Sequence, residues 1–154
     1  MNRFLLVVST VLAGLALFSC ATMNSLTSVP LPTVQIVSPD PNLSPEIKAF
    51  SGKWSGRWWN KSCSPNHGLD AILIVEEVSN DHATVVYCWG NSPEWGVEKG
   101  WNRFKADFKK NKSEVVLVWD SGNIKCEFRV RGDNLEGVFD NGNYTNFITM
   151  RRLQ

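Results

Sequence analysis

The sequence predicts an all-β domain: an eight-stranded antiparallel up-and-down barrel after a short N-terminal helical turn. Three observations carry this reading. Residues 46–154 break into short runs in which apolar and polar side chains alternate, the two-residue period of a strand with one buried face. The runs are separated by Asp120-Ser-Gly-Asn123, Gly132-Asp133 and Asp140-Asn-Gly-Asn143, residue types that enter tight hairpin turns at little steric cost. No helical period longer than one turn survives, except over residues 45–50.

The strands follow in order. Residues 52–60 place Trp54, Gly56 and Trp58 on one face, and residues 69–78 are largely apolar. Residues 82–89 alternate Ala83, Val85, Tyr87 and Trp89, and residues 101–109 set Phe104, Ala106 and Phe108 against Arg103, Lys105 and Asp107. Residues 114–120 are Val-rich. In 124–131, Ile124, Cys126, Phe128 and Val130 face one way and four charged residues the other. Residues 135–140 and 144–152 complete the set. Eight consecutive strands with one apolar face suit a barrel that closes on itself and leaves no free edge. A two-sheet sandwich is the competing arrangement.

Ahead of these strands lies an address. Arg3 supplies a positive end and residues 4–18 an apolar stretch, the length of a signal-peptide core and short for a membrane span. Its end, Leu17-Phe18-Ser19-Cys20, resembles the bacterial lipobox. That resemblance implies cleavage before Cys20, a diacylglycerol thioether on its sulfur and acylation of the new amine. Ala21 stands where an Asp would signal inner-membrane retention, so the resemblance implies an outer-membrane lipoprotein of a diderm bacterium. Its acyl chains would serve as the membrane anchor. The expected organisation is signal peptide 1–19, a tether at 20–45 rich in Pro, Ser and Thr, and a barrel domain at 46–154. Five prolines between 30 and 45 favour an extended spacer.

Phe50-Ser-Gly52-Lys-Trp54, opening the first strand, resembles the entry motif of the calycins, the lipocalins, fatty-acid-binding proteins and avidin-like barrels. In that group the Trp packs under a basic residue from the last strand. The resemblance assigns this closure of the barrel floor to Trp54 with Arg151 or Arg152, and strand parity places both ends of the chain on the same side, where a cation–π contact can form. Other lipocalin motifs are absent. Trp54-Ser-Gly-Arg-Trp58 with Val85-Val-Tyr-Cys-Trp-Gly90 also resembles a group of uncharacterised small secreted bacterial domains.

By the same parity, residues 60–68, 90–100, 120–123 and 140–143 fall at the opposite, open end. They bring Trp59, His67, Trp89, Glu94, Trp95 and Trp101 to a mouth that suits a flat apolar ligand or the faces of a sugar. The same tryptophans would equally plug a narrow barrel. With Cys20 lipidated, three cysteines remain and cannot all pair. In an oxidising periplasm one disulfide is expected, Cys63–Cys88, with Cys126 a buried thiol. The Cys and His spacing matches no zinc pattern, so no metal is expected. Glu94 and Glu98, four residues apart on a loop, have the spacing of a paired-carboxylate site such as glycosidases use, although loop carboxylates are usually just solvated. Glu76 and Glu77 are adjacent on a strand and therefore expected on opposite faces. No catalytic motif and no cofactor site is present. Sixteen basic and fifteen acidic residues give a net charge of +1, which excludes nucleic-acid binding through a basic face.

The expected function is therefore a membrane-anchored envelope lipoprotein, not an enzyme, binding a small apolar, aromatic or glycan ligand at its Trp-rich mouth. The alternative is a protein–protein module, an accessory subunit or a hydrolase inhibitor, with an envelope protein as its partner. A hydrolase using Glu94, Glu98 or His67 ranks third.

Overall fold

A computed structural model describes residues 29–61, 68–111 and 114–154. A single helical turn, α1 (Pro45–Lys48), precedes β1 (Gly52–Trp58), β2 (Leu69–Val78), β3 (His82–Trp89), β4 (Gly100–Asn111), β5 (Glu114–Ser121), β6 (Ile124–Arg131), β7 (Asn134–Asp140) and β8 (Thr145–Arg152). Every strand pairs antiparallel with the next, and β8 returns to β1, so the sheet is a closed eight-stranded barrel and not a sandwich. Closure needs Gly56, opposite Met150. A Cβ there would stand 2.6 Å from the Thr149 carbonyl oxygen.

The floor is filled from below. Ser44 caps α1 by accepting from the Ile47 N–H, and Pro45 takes the first helical position, where no N–H is required. The turn delivers Leu43, Ile47 and Phe50 into the end of the barrel, where they pack with Trp54, Phe108 and Leu117. Ile47 and Phe50 are about 1% exposed, and burial on that scale stabilises by roughly 2–3 kcal/mol per side chain. The Trp54 indole N–H donates to the Phe50 carbonyl at 2.9 Å. The Arg152 guanidinium lies 4.0 Å from the Trp54 ring centroid and donates to the carbonyls of Ala49 and Ser51. Arg151, one residue away on β8, points outward opposite Ser55 and is exposed. The floor contact expected of either arginine is made by Arg152 alone, as the two-residue period requires.

Two expectations are corrected here. The spacer was expected to end at residue 45, but residues 29–37 lie as a strap along the outside of β2 and β3. Val29 and Val34 pack on Ile72, Ile74, Val86 and Cys88. The Val37 N–H donates to the Glu76 carbonyl at 2.7 Å. The Glu76 carboxylate accepts from the Gln35 N–H and from Arg103, which also donates to the Thr33 carbonyl. The physical reason is that β2 is apolar on both faces, and its outer stripe needs a cover. The second correction concerns Glu76 and Glu77. A bulge between Val75 and Glu77 inserts one residue into β2, so both carboxylates face outward rather than to opposite sides.

Candidate functional site

The upper half of the barrel is not filled. A cavity of about 770 Å³ occupies it, within the size range of small-molecule sites. Its wall is aromatic: Trp58, Tyr87, Trp89, Trp95, Phe104, Trp119, Phe139 and Tyr144 all line it. Each of the strand residues among them sits at an inward position of its strand, in step with the floor residues below. Trp119 stacks on Phe128 with centroids 5.0 Å apart and rings 15° from parallel, and Phe104 meets Trp119 edge-on at 5.1 Å. The Trp58 indole N–H donates to the Tyr87 hydroxyl at 2.5 Å, so these two polar atoms of the wall satisfy each other. Burial holds the Tyr87 hydroxyl well above its ordinary pKa and pushes the Cys126 thiol, also on the wall, up to about 12. Both are neutral, and the charged side chains of the lining, Lys105, Asp107, Lys109 and Asp120, all come from β4 and β5.

The loop between β3 and β4 shapes one side of the mouth. Pro93 opens a 3-10 turn over Pro93–Trp95 and Gly96 ends it at φ +62°, a left-handed conformation that glycine adopts without penalty. Ser92 and Val97 exchange two backbone hydrogen bonds across the turn, and the Asn91 carboxamide oxygen accepts from the Lys99 N–H at 2.7 Å. This knot holds Trp95 and Val97 over the cavity. Trp89 donates its indole N–H to the Glu98 carbonyl at 2.7 Å, and its ring lies against Gly100, where a Cβ would come within 2.8 Å.

The wall has a gap. The β4–β5 register runs from Asn111↔Glu114 to Asp107↔Val118 and stops, although β4 continues back to Gly100 and β5 on to Ser121. The cavity reaches this gap. Lys105, Asp107 and Lys109, on the outer face of β4, line it together with the inward Phe104 and Trp119. The chamber therefore opens at the mouth and again through the side.

Of the mouth residues expected from sequence, Trp89 and Trp95 line the cavity. Trp59 and Trp101 do not, and these two are corrected. Trp59 follows the inward Trp58, turns outward and packs on Phe147 at 5.4 Å. Trp101 pairs with the outward Cys88. Both are 46% exposed. Glu94 is exposed and accepts from the Ser92 hydroxyl at 3.3 Å, beside the mouth rather than in it. His67 and Cys63 lie outside the described residues, as does Cys20. Cys88 carries a free, buried thiol on the outer face under the strap, and the disulfide expected between it and Cys63 falls on a residue outside the described ones. Cys88 alternates with the inward Tyr87 and Trp89, which turns it away from the mouth.

Sequence reasoning missed Trp119, Phe139, Tyr144, Asn102 and Asn146 as wall residues. The signal was present in strand parity. Asn102 keeps step with Phe104, and Asn146 with Ile148 and Met150. Asn146 is buried and its carboxamide oxygen accepts from Asn60 at 3.1 Å. Among the described residues no group of three His, Cys, Asp or Glu side chains is placed to hold a metal ion. No protein-family model matches the chain, and no curated protein matches it.

Proposed function

We propose that this protein is a lipid-anchored envelope lipoprotein, calycin-like in its barrel, that binds a small planar apolar or aromatic molecule and is not an enzyme. The observation that carries the binding reading is the aromatic chamber of about 770 Å³ above a filled floor. A barrel built only for stability would fill that volume, because each void forfeits packing energy. The chemistry of the wall selects the ligand class. Eight rings offer stacking faces to a flat ligand, and Asn102, Asn146 and the polar side chains at the β4–β5 gap offer partners to groups at its edges. The calycin-like reading is supported by Trp54 and Arg152 closing the floor in the way that the resemblance implies. Envelope anchoring is supported by the lipobox-like residues ending at Cys20.

The test is a fluorescence titration of the protein with 1-anilinonaphthalene-8-sulfonate, fatty acids, flat heterocycles and muropeptides. Saturable binding of the flat or apolar probes, weakened at least about tenfold by Trp95→Ala, is the expected result. Binding of muropeptides alone would replace the apolar reading with the glycan one. Silence from every probe would remove the small-molecule reading and turn the search to a protein partner.

A further inference from the structure

The exposed large apolar side chains of the described residues are not scattered. Leu31, Ile36 and Val37 belong to the strap on the side of the barrel. The other four are Trp59, Trp101, Ile124 and Tyr144, each 37% exposed or more. Trp59 follows the upper end of β1, Trp101 lies at the upper start of β4, Ile124 opens β6 and Tyr144 precedes β8. All four therefore stand on the rim of the mouth. The opposite end presents Glu46, Lys53, Asp81, Lys110, Asp133 and Arg151 to solvent. Both ends carry exposed charges, Lys61, Glu94, Glu98, Lys99, Asp120, Lys125 and Asp140 among them at the mouth, but the exposed Trp, Tyr and Ile side chains of the described barrel residues stand at the mouth end alone.

The strap adds a second, independent observation. It is bonded to Glu76 near the floor end of β2 at residues 35 and 37. Its first described residue, Val29, is buried in a cluster whose upper members, Ile72 and Cys88, face each other near the mouth. Val29 therefore lies farther from the floor than residues 35 and 37. Only eight residues separate Val29 from Cys20, and the nine steps from one to the other span at most about 30 Å.

We propose that the mouth rim is a membrane-docking surface: the barrel sits mouth-down, with Trp59, Trp101, Ile124 and Tyr144 in the interfacial layer of the bilayer that holds the Cys20 anchor. Trp and Tyr suit that layer because each has an apolar body and a polar edge. The rim gives the anchor the second membrane contact that a single lipid attachment lacks, and the attachment limits how far the rim can drift from the surface. Seated this way, the aromatic chamber opens onto lipid and the β4–β5 gap faces sideways into water. The inference rests on the reading of Cys20 as the lipidated residue, and the experiment separates the two.

The full chain is recovered from bacterial membranes, the modification of Cys20 is weighed by mass spectrometry, and the protein is reconstituted into vesicles of phosphatidylcholine with brominated acyl chains. Bromine quenches tryptophan only at short range. The expected result is strong quenching that falls by about half in a Trp59→Phe, Trp101→Phe double variant, the two indoles being the rim's interfacial anchors. Both positions are half exposed, so the Phe variants keep the fold, and an unchanged circular dichroism spectrum checks this. A lipidated chain whose bromine quenching is the same in the variant would overturn rim docking and leave the anchor standing. A chain with no lipid on Cys20 would overturn the anchor and rim docking together.

Discussion

The floor and the mouth of this barrel use the same residue types to opposite ends. Both are rich in Trp and Phe. At the floor, Ile47 of α1 and Phe50 just after it enter from outside the strands and fill the bore beneath Trp54 until almost nothing is exposed. At the mouth, the rings come from the barrel wall, the β3–β4 loop knot and Tyr144 of the β7–β8 turn, and they line a chamber instead of filling it. The difference teaches that eight strands bring their side chains to the wall of a bore, and that closure of an end depends on residues supplied from elsewhere in the chain. Arg152 then seals the floor by covering Trp54 and tying the carbonyls of Ala49 and Ser51.

The contrast is broken most forcefully from below. Phe50→Ala empties a site 1% exposed and removes the ring that meets Phe108 at 5.2 Å. A loss of about 3–5 kcal/mol is expected, read from urea denaturation. Trp95→Ala at the mouth is expected to cost under about 1 kcal/mol in the same experiment, because its ring borders open space. Equal costs would mean that the two ends are packed alike. Next in size is Gly137→Val, in the middle of the barrel. A Cβ there would meet Phe128 Cε1 at 2.5 Å and Ile148 Cγ2 at 2.7 Å, so overpacking of about 1–3 kcal/mol is expected. A melting temperature as high as that of the parent would show that Phe128 has room to move into the chamber above.

Arg152→Met keeps the apolar stem over Trp54 and removes the charge and its donors. The expected cost is about 1–2 kcal/mol, while Arg151→Met, outward and exposed, should leave the unfolding midpoint unchanged. The smallest effect is a drift with pH. Burial raises the thiols of Cys88 to about 11 and Cys126 to about 12, against an ordinary value of 9.0. The folded chain holds these protons more tightly than the unfolded chain, so the stabilisation is complete below pH 9 and is lost as pH rises toward 11 and 12. Denaturation midpoints at pH 8 and pH 10.5 should differ less in Cys126→Ser than in the parent. Iodoacetamide at pH 8 should leave both thiols of the folded protein unmodified.

Much of this was readable along the chain. Alternation at residues 124–131 and the turn residues at 120–123, 132–133 and 140–143 set strand number and hairpin order, and parity then placed the long loops opposite Trp54. The same parity already distinguished Trp58 from Trp59 and Phe104 from Trp101. Grouping the mouth by loop position instead of by strand phase is what brought Trp59 and Trp101 into the expected site. The strap was harder to see. Its Pro-rich composition speaks for a spacer, and only the double-faced apolar run of β2, at Ile72 and Ile74, hinted that something covers the outside.

By itself the sequence determined the class of fold, the order of its strands, the inward face of β1, β3, β4 and β6 and the end at which Trp54 lies, because these follow from a two-residue period and from turn chemistry, which are local. Tertiary structure decided that the upper bore stays open, that β4 and β5 part above Asp107 and Val118, that Arg152 rather than Arg151 covers Trp54, and that residues 29–37 belong to the barrel. Those outcomes depend on volumes and on registers between distant segments. The same rings lie in the sequence whether they meet across the bore or stand apart around it, and only the radius of the closed sheet separates the two.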